Sequence, residues 1–233
     1  MNAMQHPREF WRARLRVPNY GVSDASRFAD VSSATIRNWQ RLGNRPSPLG
    51  HREKGKGLSY LQLIELAVVA KVRDAGVKLP VIRETREYMS RVLGSEFPFA
   101  EHRFKTDGKH LWIDFIDAGG SAGDGKLLKA SGRGQLAWAE IIGKLREFEY
   151  DKDAGLAVRW HLAGENSKVV IDPRVQFGKP SVRGVPTWLL AERAKSGDSI
   201  DYLARDYGIP KPAIADALAF EGFEGNAMKA WKH

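Results

Sequence analysis

Arg37, Asn38 and Arg41 are the residues of this 233-residue chain whose types and spacing best suit specific chemistry with another molecule. On a helix at about 100° per residue they share one face with Ala34, at i, i+3, i+4 and i+7. Ile36 and Trp39 fall on the opposite face. An arginine can donate two parallel hydrogen bonds to guanine, and an asparagine can bond adenine, both in the major groove of DNA. The apolar face would dock on the protein while the basic, amide-bearing face turns outward, as a recognition helix requires. Ser33 and Thr35, from the same segment, join the expected DNA-contacting set. The plain alternative is a solvated helix face.

The segment that follows adds weight. Gly43–Gly57 is rich in glycine and proline and carries Arg45, Arg52, Lys54 and Lys56. That composition excludes a helix and suits a basic loop or two-stranded wing lying along phosphates. A solvated linker is the alternative. Nearer the N-terminus, Arg8, Arg12, Arg14 and Arg16 surround Phe10 and Trp11. The aromatics are expected to pack on the N-terminal domain; the arginines could enter a minor groove or stay in water.

Candidates for catalysis are weaker. Gly178-Lys179-Pro180-Ser181 lacks the preceding glycine of a phosphate-binding loop, and Pro180 removes a backbone donor. The six histidines show no metal-ligand spacing; His102 and His110 read as a cross-strand pair. Asp114, Asp117 and Asp124 could hold a divalent metal for nuclease work, but two of them lie in or beside the glycine-rich stretch Asp117–Lys126, which reads as a solvated loop. No serine sits in a GxSxG turn. The expectation is a non-enzymatic protein without cofactor or metal.

Charge divides the chain. Residues 1–95 hold 17 Lys and Arg against 8 Asp and Glu, the whole of the net +9, and the remainder is balanced at 20 against 20. Counterion release makes a basic end a nucleic-acid-facing end. Ser196–Glu224 reverse the sign, with 2 basic against 6 acidic residues. Phosphates repel such a surface, so this part suits a protein partner. Asp198, Asp201, Asp206 and Asp216 are its candidate contacts, with Trp188 and Tyr202 as aromatic anchors. Both aromatics also read as core residues of a small helical unit. There is no cysteine, which excludes disulfides, cysteine-ligated zinc and thiol nucleophiles. The N-terminus lacks an apolar signal core, and LIELAVVAKV is too short to span a bilayer, so a soluble cytoplasmic protein is expected.

The elements that must position these groups follow from periodicity and punctuation. Ser23 is the expected N-cap of a first helix carrying Ala25, Phe28 and Ala29, with Asp30-Val31 as the turn. Ser32 or Ser33 caps the second, ATIRNWQRL. Ser59–Ala75 is an amphipathic helix stopped by Gly76, and Leu79–Leu93 is another ending at Gly94. HRFKT and KHLWIDFI flank Asp107-Gly108 as a hairpin, and Lys126–Lys129 adds a strand. GQLAWAEIIGKLREF is a helix, GLAVRWHL a strand, and VVIDP a strand stopped by Pro173. Helices over Thr187–Ser196, Ser199–Tyr207 and Lys211–Glu221 complete the chain, the last two broken by Gly208–Pro210.

Helix-turn-helix, basic wing and two helices is the order of a MerR-type winged helix, which Tyr20 to Leu42 and SYLQLIEL resemble. The usual Arg-x-Tyr triplet of the wing and the long dimerising helix are absent; Tyr60 remains. IDPRVQFGKPSVRGVPT and LAERAKSGDSIDYLARDYGIPKPAIADAL resemble a family known as a domain of unknown function. Longer members place it after a degenerate MerR-like domain and segments resembling KGLSYLQLIELAVVAKVRDAGVKL and FKTDGKHLWID. The resemblance runs from about Tyr20 to Glu221. It implies a VapB-like antitoxin that binds double-stranded operator DNA as a homodimer, represses its own operon and silences a PIN-domain ribonuclease toxin. The expected class is α+β: a winged-helix domain over 1–95, a mixed hairpin and helix segment over 96–165, a trihelical module over 166–224 and a tail over 225–233. Two other readings remain: a plain MerR-like regulator whose C-terminal module binds an effector or oligomerises, and a metal-dependent nucleic-acid-processing enzyme.

Overall fold

A helix buried along most of its length organises the first half of the chain. In the computed structural model, which describes residues 10–40, 47–49, 57–101, 143–151 and 153–223, helix α4 spans Tyr60–Asp74. Every residue from Tyr60 to Val69 is buried, Gln62 and Glu65 included. The sequence predicts an amphipathic helix here; Gln62 and Glu65 instead have buried partners, and only its last turn, with Arg73 and Asp74, is exposed. Ser59 starts it through a capping box. Its Oγ accepts from the Gln62 N–H at 3.3 Å, while Gln62 Oε1 accepts from the Ser59 N–H at 2.8 Å.

The chain folds as two compact units, Met1–Arg146 with Tyr150–Ala157, and Glu147–Glu149 with Val158–His233. In the first, α1 is Phe10–Arg14, α2 Val22–Ala29, α3 Ser33–Trp39 and α5 Leu79–Leu93. Helix α2 begins one residue before the expected Ser23 cap. Gly21 stands at the N-cap, and Asp24 Oδ2 accepts its N–H at 3.3 Å. Asp30 makes the turn in the left-handed region, φ 52°, which a short polar side chain tolerates. Ser32 caps α3, accepting from the Thr35 N–H at 3.1 Å, and Ser33 is the first helical residue. The helix stops at Trp39, short of the expected Leu42, with Gln40 as C-cap; the Ser47 hydroxyl donates to the freed Trp39 carbonyl at 2.7 Å. Ser32→Ala removes the cap and is expected to cost about 1 kcal/mol of stability, read as a lower thermal midpoint with α3 still formed.

Tyr20 and Leu58 close the unit by a single antiparallel bridge, Leu58 N–H to Tyr20 O at 2.7 Å and Tyr20 N–H to Leu58 O at 3.0 Å. A Cβ on Gly57 would lie 2.5 Å from the Tyr20 carbonyl, so this approach requires glycine. Helix α5 keeps its expected bounds, ending on Gly94 with φ 65°.

Five strands join in chain order into one sheet: β1 Phe148–Asp151, β2 Leu156–His161, β3 Val170–Ile171, β4 Ser181–Val182 and β5 Val185–Pro186. The pairings from β2 to β5 are antiparallel, with Trp160 opposite Ile171, Val170 opposite Ser181 and Val182 opposite Val185. The chain is therefore α+β. Phe148 opens β1 rather than closing the expected helix, whose described end is a 3-10 turn over Leu145–Glu147. In the second unit Phe148 stacks on Trp160, centroids 5.4 Å apart. That ring contact holds it to the sheet. VVIDP yields only Val170–Ile171 as strand because Asp172 turns the chain: its carboxylate accepts from the Arg174 N–H at 2.9 Å. β4 and β5 meet through Arg183-Gly184, φ 48° and 85°, a two-residue hairpin that needs positive φ twice.

Three helices follow, α6 Thr187–Lys195, α7 Ile200–Tyr207 and α8 Lys211–Phe220. Leu190, Ala194, Leu203, Ile209, Ile214, Ala217 and Leu218 bury with Val169 and Val182 as one cluster. Ser199 caps α7, and Gly208 ends it at φ 63°. No helix among the described residues is long and apolar enough to cross a membrane. The expected Asp107-Gly108 hairpin, the Lys126–Lys129 strand, the Asp117–Lys126 loop and most of the GQLAWAEIIGKLREF helix lie outside the described residues. So do His102, His110, Asp114, Arg8 and all but Ser47–Leu49 and Gly57 of the basic segment.

Candidate nucleic-acid and partner interfaces

Helix α3 divides its residues as its periodicity requires. Ile36 is fully buried and Trp39 nearly so. Ala34, Arg37 and Asn38 are exposed, and among the described residues neither the Arg37 nor the Asn38 side chain has a hydrogen bond or ion pair. Thr35 and Ser33 are half-buried, and the Thr35 hydroxyl lies 2.8 Å from that of Ser32, inside the cap. One exposed stripe thus carries a guanidinium and an amide whose hydrogen-bonding groups are open. Arg41, Arg45, Arg52, Lys54 and Lys56 lie outside the described residues.

The N-terminal arginines are not all open. Arg12 donates to the carbonyls of Ala154 at 3.2 Å and Asp153 at 3.4 Å. Arg16 pairs with Glu96 at 2.8 Å and lies over the Phe97 ring. These tie α1 and its turn to the first unit. The packing expected for Phe10 is corrected: it is 62 % exposed, with the Arg14 guanidinium 4.4 Å from its ring centroid. A cation over the face shields an aromatic ring without burying it.

Behind α3 the first unit holds a buried charge. Glu65 is fully buried, accepting from Arg86 Nε at 2.7 Å and from the Phe99 and Ala100 N–H groups at 2.6 and 3.2 Å. Burial pushes its carboxyl above the ordinary value, against the pull of Arg86 and the two amides. Arg86 also donates to the Glu96 carbonyl. The sequence marks Glu65 only as an interruption of an apolar run.

In the second unit the acidic residues divide. Asp198 and Asp206 both hold Arg193, at 2.6 Å for Asp198, and the Tyr207 hydroxyl joins them. Hydrogen bonds to Tyr207, Asp206 and Asp198 raise the Arg193 guanidinium still further from its already high value. Asp201 pairs with Lys211 at 2.9 Å. Asp216 is exposed and has no partner among the described residues. Trp188 and Tyr202 are 49 % and 47 % exposed, which corrects the core reading of both. α6 and α7 bury Leu190 and Leu203 in their place.

The loop before β4 was legible only as turn residues. Gln176 and Phe177 are both left-handed, φ 48° and 56°, ahead of Gly178 at φ 76°. Phe177 is 62 % exposed. The FGKP string is the only sequence sign of it. Nearby, Glu149 accepts from Arg159 at 3.0 Å and pairs with His161 Nε2 at 2.6 Å. Burial opposes ionisation of Glu149, but these partners hold its carboxyl below the ordinary value. Asp172 takes Arg174 in two bonds of 2.8 and 2.7 Å. Among the described residues no group of three or more His, Asp or Glu is arranged to hold a metal ion.

Residues 169–220 match a family described as protein of unknown function, DUF433. The chain is 26% identical to a Mycobacterium tuberculosis protein named "Putative antitoxin VapB45", over 230 residues that cover 88% of this chain and 94% of the relative. The crystal structure of Rv2018 from Mycobacterium tuberculosis resembles it with a TM-score of 0.70 at 24% identity, covering 88% of this chain and 99% of that one. At that identity the likeness is one of fold.

Proposed function

We propose that this chain is the antitoxin of a toxin–antitoxin pair, with a DNA-facing N-terminal part and a toxin-facing C-terminal part. The observation that carries the reading is the likeness to an antitoxin-named relative along nearly the whole of both chains. The exposed Arg37 and Asn38 stripe supports the DNA-facing part. It suits direct readout of an operator, with Arg41 and the basic Gly43–Gly57 segment on the phosphates. Binding as a MerR-like winged-helix homodimer to a palindromic operator would repress the chain's own operon.

The C-terminal module, 166–224, is the part we assign to a PIN-domain ribonuclease toxin. Half-exposed Trp188 and Tyr202 support it, because aromatics dominate the energy of protein interfaces. The residues expected to face the toxin separate by their bonds. Asp198, Asp206 and Asp201 already pair within the module, whereas Asp216 is open. In this reading the protein acts by occupying surfaces, without a cofactor. Growth rescue tests it: the product of the adjacent gene should arrest growth when expressed alone, and this chain should restore it.

A further inference from the structure

Three of the four non-glycine residues with positive φ among the described residues fall in one short stretch: Gln176, Phe177 and Arg183. Each such residue holds a backbone conformation that is strained for an L amino acid, so a run of two followed by a third demands compensation. Part of that comes from bonds that tie the stretch together. Gln176 Nε2 donates to the Gly184 carbonyl at 3.1 Å, and the Thr187 N–H donates to the Pro180 carbonyl at 3.0 Å. The first bond ties the loop that carries Phe177 to the turn that carries Arg183. The second extends the β4–β5 pairing to the residues next to Lys179 and Trp188.

All four of those side chains are exposed: Phe177 at 62 %, Trp188 at 49 %, and Lys179 and Arg183 with them. Lys179 and Arg183 have no ion pair among the described residues. The stretch Lys168–Trp188 carries four basic residues and one acidic, Asp172, which is buried under Arg174. The helices that follow carry the acids, and there Arg193 and Lys211 take up Asp198, Asp206 and Asp201. The unpaired cations Lys179 and Arg183 therefore lie in the same stretch of the module as two large exposed rings.

We infer that Phe177, Lys179, Arg183 and Trp188 form the docking face of the second unit, and that it takes an acidic protein surface. This rests on the antitoxin reading and names the surface its toxin must present. The rings supply apolar contact area and the two cations set register and encounter rate. The left-handed loop sets the Phe177 backbone in advance, so little backbone order is lost on docking.

The test uses the full-length chain and the purified product of the adjacent gene, with binding measured by calorimetry at two salt concentrations. Phe177→Asn removes the ring and keeps a residue that tolerates the left-handed region. Lys179→Glu with Arg183→Glu reverses the open charge. Each variant is expected to weaken binding by at least about 30-fold. Wild-type affinity should fall with added salt. If the two variants bind as wild type does, or if added salt leaves wild-type affinity unchanged, the docking face is elsewhere and the inference is overturned while the antitoxin reading stands. If wild type forms no complex, the antitoxin reading fails and the inference fails with it. If the variants keep the protein partner but lose a labelled single-stranded RNA, the face contacts nucleic acid and the inference is again overturned.

Discussion

Glu65→Ala is expected to destabilise the protein by about 3–5 kcal/mol, enough to leave much of it unfolded at physiological temperature. The substitution strips three donors at once. Arg86 Nε and the Phe99 and Ala100 amides all point at the Glu65 carboxylate, which has no exposed surface. A charge left in a dry interior cannot be rehydrated without opening the structure. The loss is thus set by the stranded partners, not by the methylenes removed. Glu65→Gln keeps an acceptor for the amides and should cost less than Glu65→Ala. Glu65→Leu combined with Arg86→Met removes both charges and should recover much of the stability, the two unsatisfied amides remaining. Because burial raises the Glu65 carboxyl, the folded chain holds that proton more tightly than the unfolded one. Its contribution to stability therefore declines as pH rises from the ordinary glutamate range through the raised value, and is level above; Glu65→Gln should flatten that slope. Urea denaturation of the four proteins checks the order. A loss below about 1 kcal/mol for Glu65→Ala would mean that the pair is not a structural strut.

Arg37→Ala with Asn38→Ala is expected to weaken binding to the DNA upstream of the gene by about 100-fold, while binding to random duplex changes little. Each good base-edge contact is worth about 1–3 kcal/mol of discrimination. Both side chains are exposed and make no bond within the described protein, so their removal should leave the thermal midpoint unchanged. That separation from folding is what makes the pair informative. Competition binding with specific and random duplexes at fixed salt reads it directly. Equal losses on the two duplexes would show that these residues meet phosphate alone, and direct readout by α3 would be wrong.

The helices were legible because apolar spacing and punctuation agree. Gly76, Gly94 and Gly208 end helices where glycine can take a left-handed φ, and Ser59 and Ser199 begin them with a hydroxyl. The stripe on α3 was legible for the same reason: Ile36 and Trp39 need burial, and that turns Arg37 outward. Three things were hidden. Helix α4 reads as amphipathic because sequence cannot show that Glu65 has found Arg86 and two amides, contacts 21 to 35 positions away. Trp188 and Tyr202 read as core because size favours burial, yet Leu190 and Leu203 fill that space. Net charge made the C-terminal helices look like an acidic face, whereas Arg193 and Lys211 pair with three of its acids. Counting charges gives sign without pairing, and pairing decides what a partner meets.

Growth rescue tests the central claim most directly. The adjacent gene is expressed from an inducible promoter, with and without this chain in the same cells. Arrest by the neighbour alone and recovery on co-expression is the outcome this account requires. A harmless neighbour, or arrest that persists with this chain folded and abundant, would contradict it and leave a DNA-binding regulator whose C-terminal module serves an effector or a second copy of itself.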